Sequence, residues 1–169
     1  MSAPSTTRRD VLRMLCIAAG GAFSGGMLTR SALARGDALC VIVGGTSGQQ
    51  GLDLFTLRRI FLNQPTDDAD GHRFIPFNAA PHSGDRLAFD ASVLRMGADE
   101  VARHWIDQRI RGVQSPRTST SAEITVRVVA KLPGAIAYVR ERHLIPQVKV
   151  LRIDGKLPSE SGYLFSNPF

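Results

Sequence analysis

Ala38-Leu39-Cys40-Val41-Ile42-Val43 is an unbroken apolar run, rich in β-branched residues and closed by Gly44-Gly45. Such a run predicts a strand covered on both faces. After the polar loop Thr46-Ser47-Gly48-Gln49-Gln50-Gly51, the period changes. Leu54, Leu57, Ile60 and Phe61 recur at helical spacing behind Asp53, a natural N-cap. Asn63 to Arg73 carries Pro65, Asp67, Asp68, Asp70 and Gly71 and predicts a loop, and Phe74 to Phe77 a short strand.

The second half repeats the alternation. Ser83 caps a predicted helix that turns Leu87, Ala91 and Leu94 inward and stops at Gly97. Asp99 starts another, with Val101, Trp105 and Ile106 on its buried face. Thr120 and Glu123 have the spacing of a capping box, and Ile124, Val128 and Leu132 follow at helical intervals until Pro133-Gly134. Ala135 to Val139 and Val148 to Ile153 predict strands, and Asp154-Gly155 turns the chain into an irregular tail. Strands alternating with helices predict an α/β domain with a mixed, largely parallel sheet flanked by helices.

The first 34 residues change the picture. Thr7-Arg8-Arg9-Asp10-Val11-Leu12-Arg13, a glycine-broken apolar run from Met14 to Leu28, and Ser31-Ala32-Leu33-Ala34 have the layout of a twin-arginine leader with its cleavage site. The expected organisation is therefore a signal peptide over 1–34 and one α/β domain over 35–169, exported to the periplasm. Removing the leader takes Arg8, Arg9, Arg13, Arg30 and Asp10 from the totals of 21 basic and 15 acidic residues. The remaining 17 basic and 14 acidic residues give a net charge of +3, too small to argue for nucleic acid. Cys40 is the only cysteine past the leader, so no internal disulfide is expected, and its apolar neighbours predict a buried, inert thiol.

Metal and catalytic patterns do not form. Thr66-Asp67-Asp68-Ala69-Asp70-Gly71 fails as a calcium loop, because Phe77 falls on the bidentate position. His72, His82, His104 and His143 have no ligand spacing, and no Gly-x-Ser-x-Gly elbow offers a nucleophile. The expectation is no metal, no cofactor and no catalysis.

Four segments carry a resemblance. They are Leu54 to Leu62, Phe74-Ile75-Pro76-Phe77-Asn78, Ser83-Gly84-Asp85-Arg86-Leu87-Ala88-Phe89, and Leu132-Pro133-Gly134-Ala135-Ile136-Ala137-Tyr138-Val139. In order and distance they resemble the later half of the periplasmic phosphate-binding proteins of ABC transporters. The tail, Ile153-Asp154-Gly155-Lys156-Leu157-Pro158 and Gly162-Tyr163, is similar to that family's closing segment. The resemblance implies a periplasmic-binding-protein-like lobe, with phosphate or another small oxyanion as ligand. It also implies an ABC transporter membrane complex or a second copy of the chain as partner.

In that family a Ser-Gly-Thr-Thr turn contacts the anion. Here Ser83 and Gly84 match, while Asp85 and Arg86 replace the threonines. A helix N-terminus offers free N–H groups to an oxyanion, a guanidinium adds charge-assisted bonds, and the Asp85 carboxylate opposes both. Thr46 and Ser47, in the first glycine-rich loop, are a second candidate anion turn. Against this stands a lobe that has kept the fold, lost the ligand and serves as a protein-interaction module.

Overall fold

The computed structural model describes residues 38–165; the leader and its cleavage site lie outside the described residues. The predicted strand forms β1, Leu39–Gly44. It is followed by the two-residue strand β2, Gly51–Leu52, and by α1, Leu54–Phe61. Asp53 caps α1 as expected, accepting the Thr56 N–H at 2.7 Å. Strand β3 runs over Ile75–Asn78 and helix α2 over Gly84–Phe89. A π turn, Asp90–Leu94, continues α2.

Helix α3 spans Ala98–Ile110, β4 is Arg117–Thr118, α4 is Ala122–Lys131 and β5 is Ala135–Arg140. Strands β6, Val148–Val150, and β7, Arg152–Ile153, close the domain.

Four local expectations are corrected. Leu87 and Ala91 of the second helix face outward, Leu87 at 42 % exposure, because the buried side of that segment passes through Arg86, Phe89, Asp90 and Val93. The second helix ends before Gly97: the π turn stops at Leu94 and Arg95 takes the left-handed conformation, φ 58°. Ser121, not Thr120, caps α4, because its Oγ accepts the Ile124 N–H at 3.3 Å and donates to Glu123 Oε2 at 2.7 Å. Ile106 faces outward, 60 % exposed, because the buried stripe of α3 passes through Val101 and Trp105 instead.

Five strands form a mixed sheet in the order β4-β3-β5-β1-β6, and β2 pairs with β7 in a small parallel ribbon. Strand β3 lies parallel to both of its neighbours, and β1 antiparallel to both of its own. Alternate residues of the central strands point into two separate cores. Leu39, Val41, Val43, Ile136 and Tyr138 pack with α1, α2 and the tail, including Leu57, Phe61, Phe89 and Tyr163. Cys40, Ile42, Ala135, Ala137 and Val139 pack on the other face with Val126 and Val129 of α4. Both faces being covered explains why β1 and β5 are continuous apolar runs in the sequence. Phe89 is wholly buried and stacks on Tyr138 with ring centroids 3.9 Å apart, which fixes α2 over the sheet. Full burial of such a ring contributes roughly 1.5–3 kcal/mol.

Candidate functional site

Strands β3 and β5 run side by side and end together. Asn78 and Ala79 leave β3, and Ala80-Pro81-His82 carries the chain into α2, with His82 left-handed at φ 61°. Ser83 ends the turn. Its Oγ donates to the Ala80 carbonyl at 2.8 Å and accepts the Arg86 N–H at 3.2 Å, so it is the N-cap. The head of α2 is thereby fixed beside the carboxyl ends of β3 and β5, the side of an α/β sheet where ligands usually bind.

Two ion pairs occupy this corner. Asp85 accepts from Arg140 Nε at 2.6 Å, with both side chains partly exposed. Arg86 turns the other way, into the domain, and its Nε donates to Asp90 Oδ2 at 2.6 Å. Side-chain exposure of 10 % for Arg86 and 5 % for Asp90 puts this pair out of solvent. The second oxygen, Asp90 Oδ1, is buried without a hydrogen-bond partner. Burial pushes the Asp90 carboxyl above its ordinary value, although the Arg86 guanidinium pulls it down. Desolvation wins over the pairing, as expected where charge is removed from water.

Tyr138 backs the corner from β5. Its hydroxyl donates to Asn78 Oδ1 at 3.3 Å and accepts the Ala79 N–H at 3.2 Å, tying the end of β3 to β5. Burial pushes its phenol up, so it remains a neutral donor. Tyr138 packs against Phe89 and is also a polar tie.

Of the predicted residues, Ser83, Gly84, Asp85 and Arg86 are together at the head of α2, but Arg86 does not face out with them. Thr46 and Ser47 lie elsewhere. They follow the carboxyl end of β1, which is antiparallel to β5, and this places them at the opposite edge of the sheet. The separation is about the length of a six-residue strand, roughly 17–20 Å. The two candidate turns therefore cannot share one small anion. Thr46 and Ser47 line a cleft of about 300 Å³ with Asp68, Asp70, His72 and the end of α4.

In that cleft Asp68, Asp70 and His72 each bring a potential ligand atom within 4.8 Å of the others, a convergence the spacing did not suggest. The carboxylates are already engaged. Asp68 Oδ1 accepts the N–H groups of Asp70 and His72 at 2.9 and 2.8 Å, and Asp70 Oδ2 accepts that of Gly48 at 2.6 Å. The loop's acids organise its own backbone.

Arg140, Asp90 and the polar role of Tyr138 escaped the sequence reading. Arg86 and Asp90 did carry a signal, since i,i+4 spacing on a helix brings opposite charges together. Arg140 carried none beyond standing at the end of an apolar strand.

No protein-family model and no curated protein sequence matches the chain. Solved structures do. An ABC-type phosphate transport receptor from Vibrio cholerae superposes with a TM-score of 0.58 at 15 % identity, over 72 % of this chain and 48 % of that one. A phosphate ABC transporter substrate-binding protein with bound phosphate, from Clostridium perfringens, gives 0.59 at 17 %, over 72 % and 47 %. PstS from Borrelia burgdorferi gives 0.56 at 14 %, over 72 % and 49 %.

This is a periplasmic-binding-protein fold. The resemblance drawn from the four segments holds for the fold, including the mixed sheet flanked by helices. Identities of 14–17 % establish the fold alone. The chain also spans only about half the length of these receptors.

Proposed function

We propose that the protein is an exported, non-catalytic binding protein built on half of a phosphate-receptor fold. Its ligand is phosphate or another small oxyanion, taken at the head of α2. The observation that carries this reading is the Asp85–Arg140 pair, a partly exposed guanidinium held beside the helix mouth by a carboxylate of the chain itself. A carboxylate is a planar oxyanion, so Asp85 stands where a ligand oxygen would bind Arg140. Phosphate competes with it, using Arg140 and the N–H groups of Gly84 and Asp85. The fold similarity to a substrate-binding protein with bound phosphate supports the ligand class.

The leader pattern supports periplasmic residence, and an ABC transporter membrane complex is the partner that fits the fold. Among the described residues, no helix is long and apolar enough to cross a membrane. Calorimetric titration with phosphate and with sulfate tests the reading. Saturable heat at submillimolar to millimolar ligand is expected, and its loss in Arg140→Ala. No heat in the unaltered protein at millimolar ligand rejects it.

One observation favours a second reading. Arg86, the guanidinium that would reinforce the site, is buried against Asp90. On this reading the lobe is neutralised from within and meets a protein rather than an anion. Neither the unaltered protein nor an Asp85→Asn variant then binds phosphate.

A further inference from the structure

We propose that α3 is a self-association surface, on which a second copy of this chain docks antiparallel about a two-fold axis. The inference does not depend on the oxyanion reading. Helix α3 is weakly held by its own domain: of its 13 residues only Val101 is buried, with His104, Trp105 and Gln108 half-buried beside it. Its outer face carries Ile106 at 60 % exposure and Ile110 at 81 %, one turn apart. With Ala102, also exposed, they form an apolar strip at i, i+4, i+8. Two large aliphatic side chains side by side on one solvent face give a partner an anchor that a single one would not.

Charge identifies that partner. Asp99, Arg103, Asp107 and Arg111 recur every fourth residue along the edge of the strip, all exposed and alternating in sign. None of them forms an ion pair among the described residues; Arg103 Nε reaches only the Asp99 carbonyl, at 3.3 Å.

Reversing the helix maps the row − + − + onto its complement. In an antiparallel pair in which residue numbers at one level sum to 210, Asp99 faces Arg111 and Arg103 faces Asp107, twice each. In the same register the two Ile106 side chains flank the axis, each level with His104 of the other copy, and Ile110 comes level with Glu100, two residues from Ala102. A parallel pair in register would set like charges against each other. The row is thus self-complementary in one direction only, the condition for an isologous two-fold interface. A contact centred on one helix is small, and a weak dimer of roughly micromolar affinity is expected.

Sedimentation velocity of the purified full chain, from micromolar to millimolar, tests this. A reversible monomer–dimer equilibrium is expected. Ile106→Glu with Ile110→Glu should raise the dimer Kd at least tenfold with an unchanged melting temperature, because both side chains are already in solvent. Asp107→Arg, which sets arginine against Arg103, should do the same, and adding Arg103→Asp should restore the dimer. A monomer throughout the range overturns the proposal. So does a dimer indifferent to these variants, or one that the double charge exchange fails to rescue.

Discussion

Arg86 Nε donates to Asp90 Oδ2 at 2.6 Å, one turn along the same helical segment and shielded from solvent on the sheet side of α2. A buried pair of this kind is costly to break and cheap to replace. Removing one partner leaves an uncompensated charge, typically a loss of about 3–5 kcal/mol, whereas an apolar pair of similar volume is near neutral. Asp90→Ala should therefore lower the unfolding free energy by about 3–5 kcal/mol. Arg86→Met combined with Asp90→Leu should recover most of it. Urea denaturation of the three proteins checks this. A double variant as unstable as Asp90→Ala would show that the pair contributes more than mutual neutralisation.

The same carboxyl sets a pH dependence. Because the folded value of Asp90 is raised above the ordinary 3.8, the folded state holds this proton longer than the unfolded chain. Its contribution is complete below 3.8 and is lost as pH rises through the folded value. The melting temperature of the natural protein should thus fall relative to Asp90→Asn between about pH 4 and the point where Asp90 ionises. A difference that stays constant across that window would contradict the direction of the shift.

Asp53 should behave in the opposite sense. The Thr56 backbone N–H and hydroxyl hold its carboxyl below the ordinary value of 3.8. Asp53→Ala should cost about 1 kcal/mol at neutral pH, the usual worth of a helix cap. The gap between variant and natural protein should close as pH falls below 3.8 through the folded value, because the protonated acid caps poorly. Paired thermal melts at neutral and acidic pH give the answer.

Caps such as Asp53 and Ser83 were legible because a hydroxyl or carboxylate ahead of an apolar stripe has few other uses. The strands β1 and β5 were legible because burial on both faces leaves an unbroken apolar run. That same run is silent on direction, so β1 lying antiparallel between β5 and β6 could not be seen. Strand β4, two exposed polar residues, has no pattern to see. The turn Ser83-Gly84-Asp85-Arg86 stands at the head of α2, as the cap ahead of the helix leads one to expect. The inward rotation of Arg86 was not legible, although Asp90 stood four residues on. Arg140 comes from a distant strand, and no local spacing announces a partner 55 residues away.

Asp85 is the residue whose removal should reveal the proposed function. Asp85→Asn keeps the size and removes the competing carboxylate charge from Arg140. A partly exposed pair contributes at most about 1 kcal/mol, so the phosphate Kd should fall by up to about fivefold. The gain should shrink with added salt. Titrations at two ionic strengths measure both effects. An unchanged or weaker affinity would mean that Asp85 supports the site rather than competing for it.

Gly134 offers a test of how firmly the fold holds the end of the sheet. It sits at φ 75°, its carbonyl accepts the Ile75 N–H at 2.8 Å, and a side chain there would run into the Arg73 carbonyl. Two costs then add in Gly134→Ala: the left-handed conformation, about 1–2 kcal/mol, and displacement of a backbone segment that joins the acidic loop to β3. A loss of at least about 2 kcal/mol in denaturant unfolding is expected. The neighbouring Pro133→Ala removes only a turn constraint and should cost less than half as much. Equal losses in the two variants would mean that the close approach to Arg73 relaxes freely, and that the Pro-Gly turn matters here only for stopping α4.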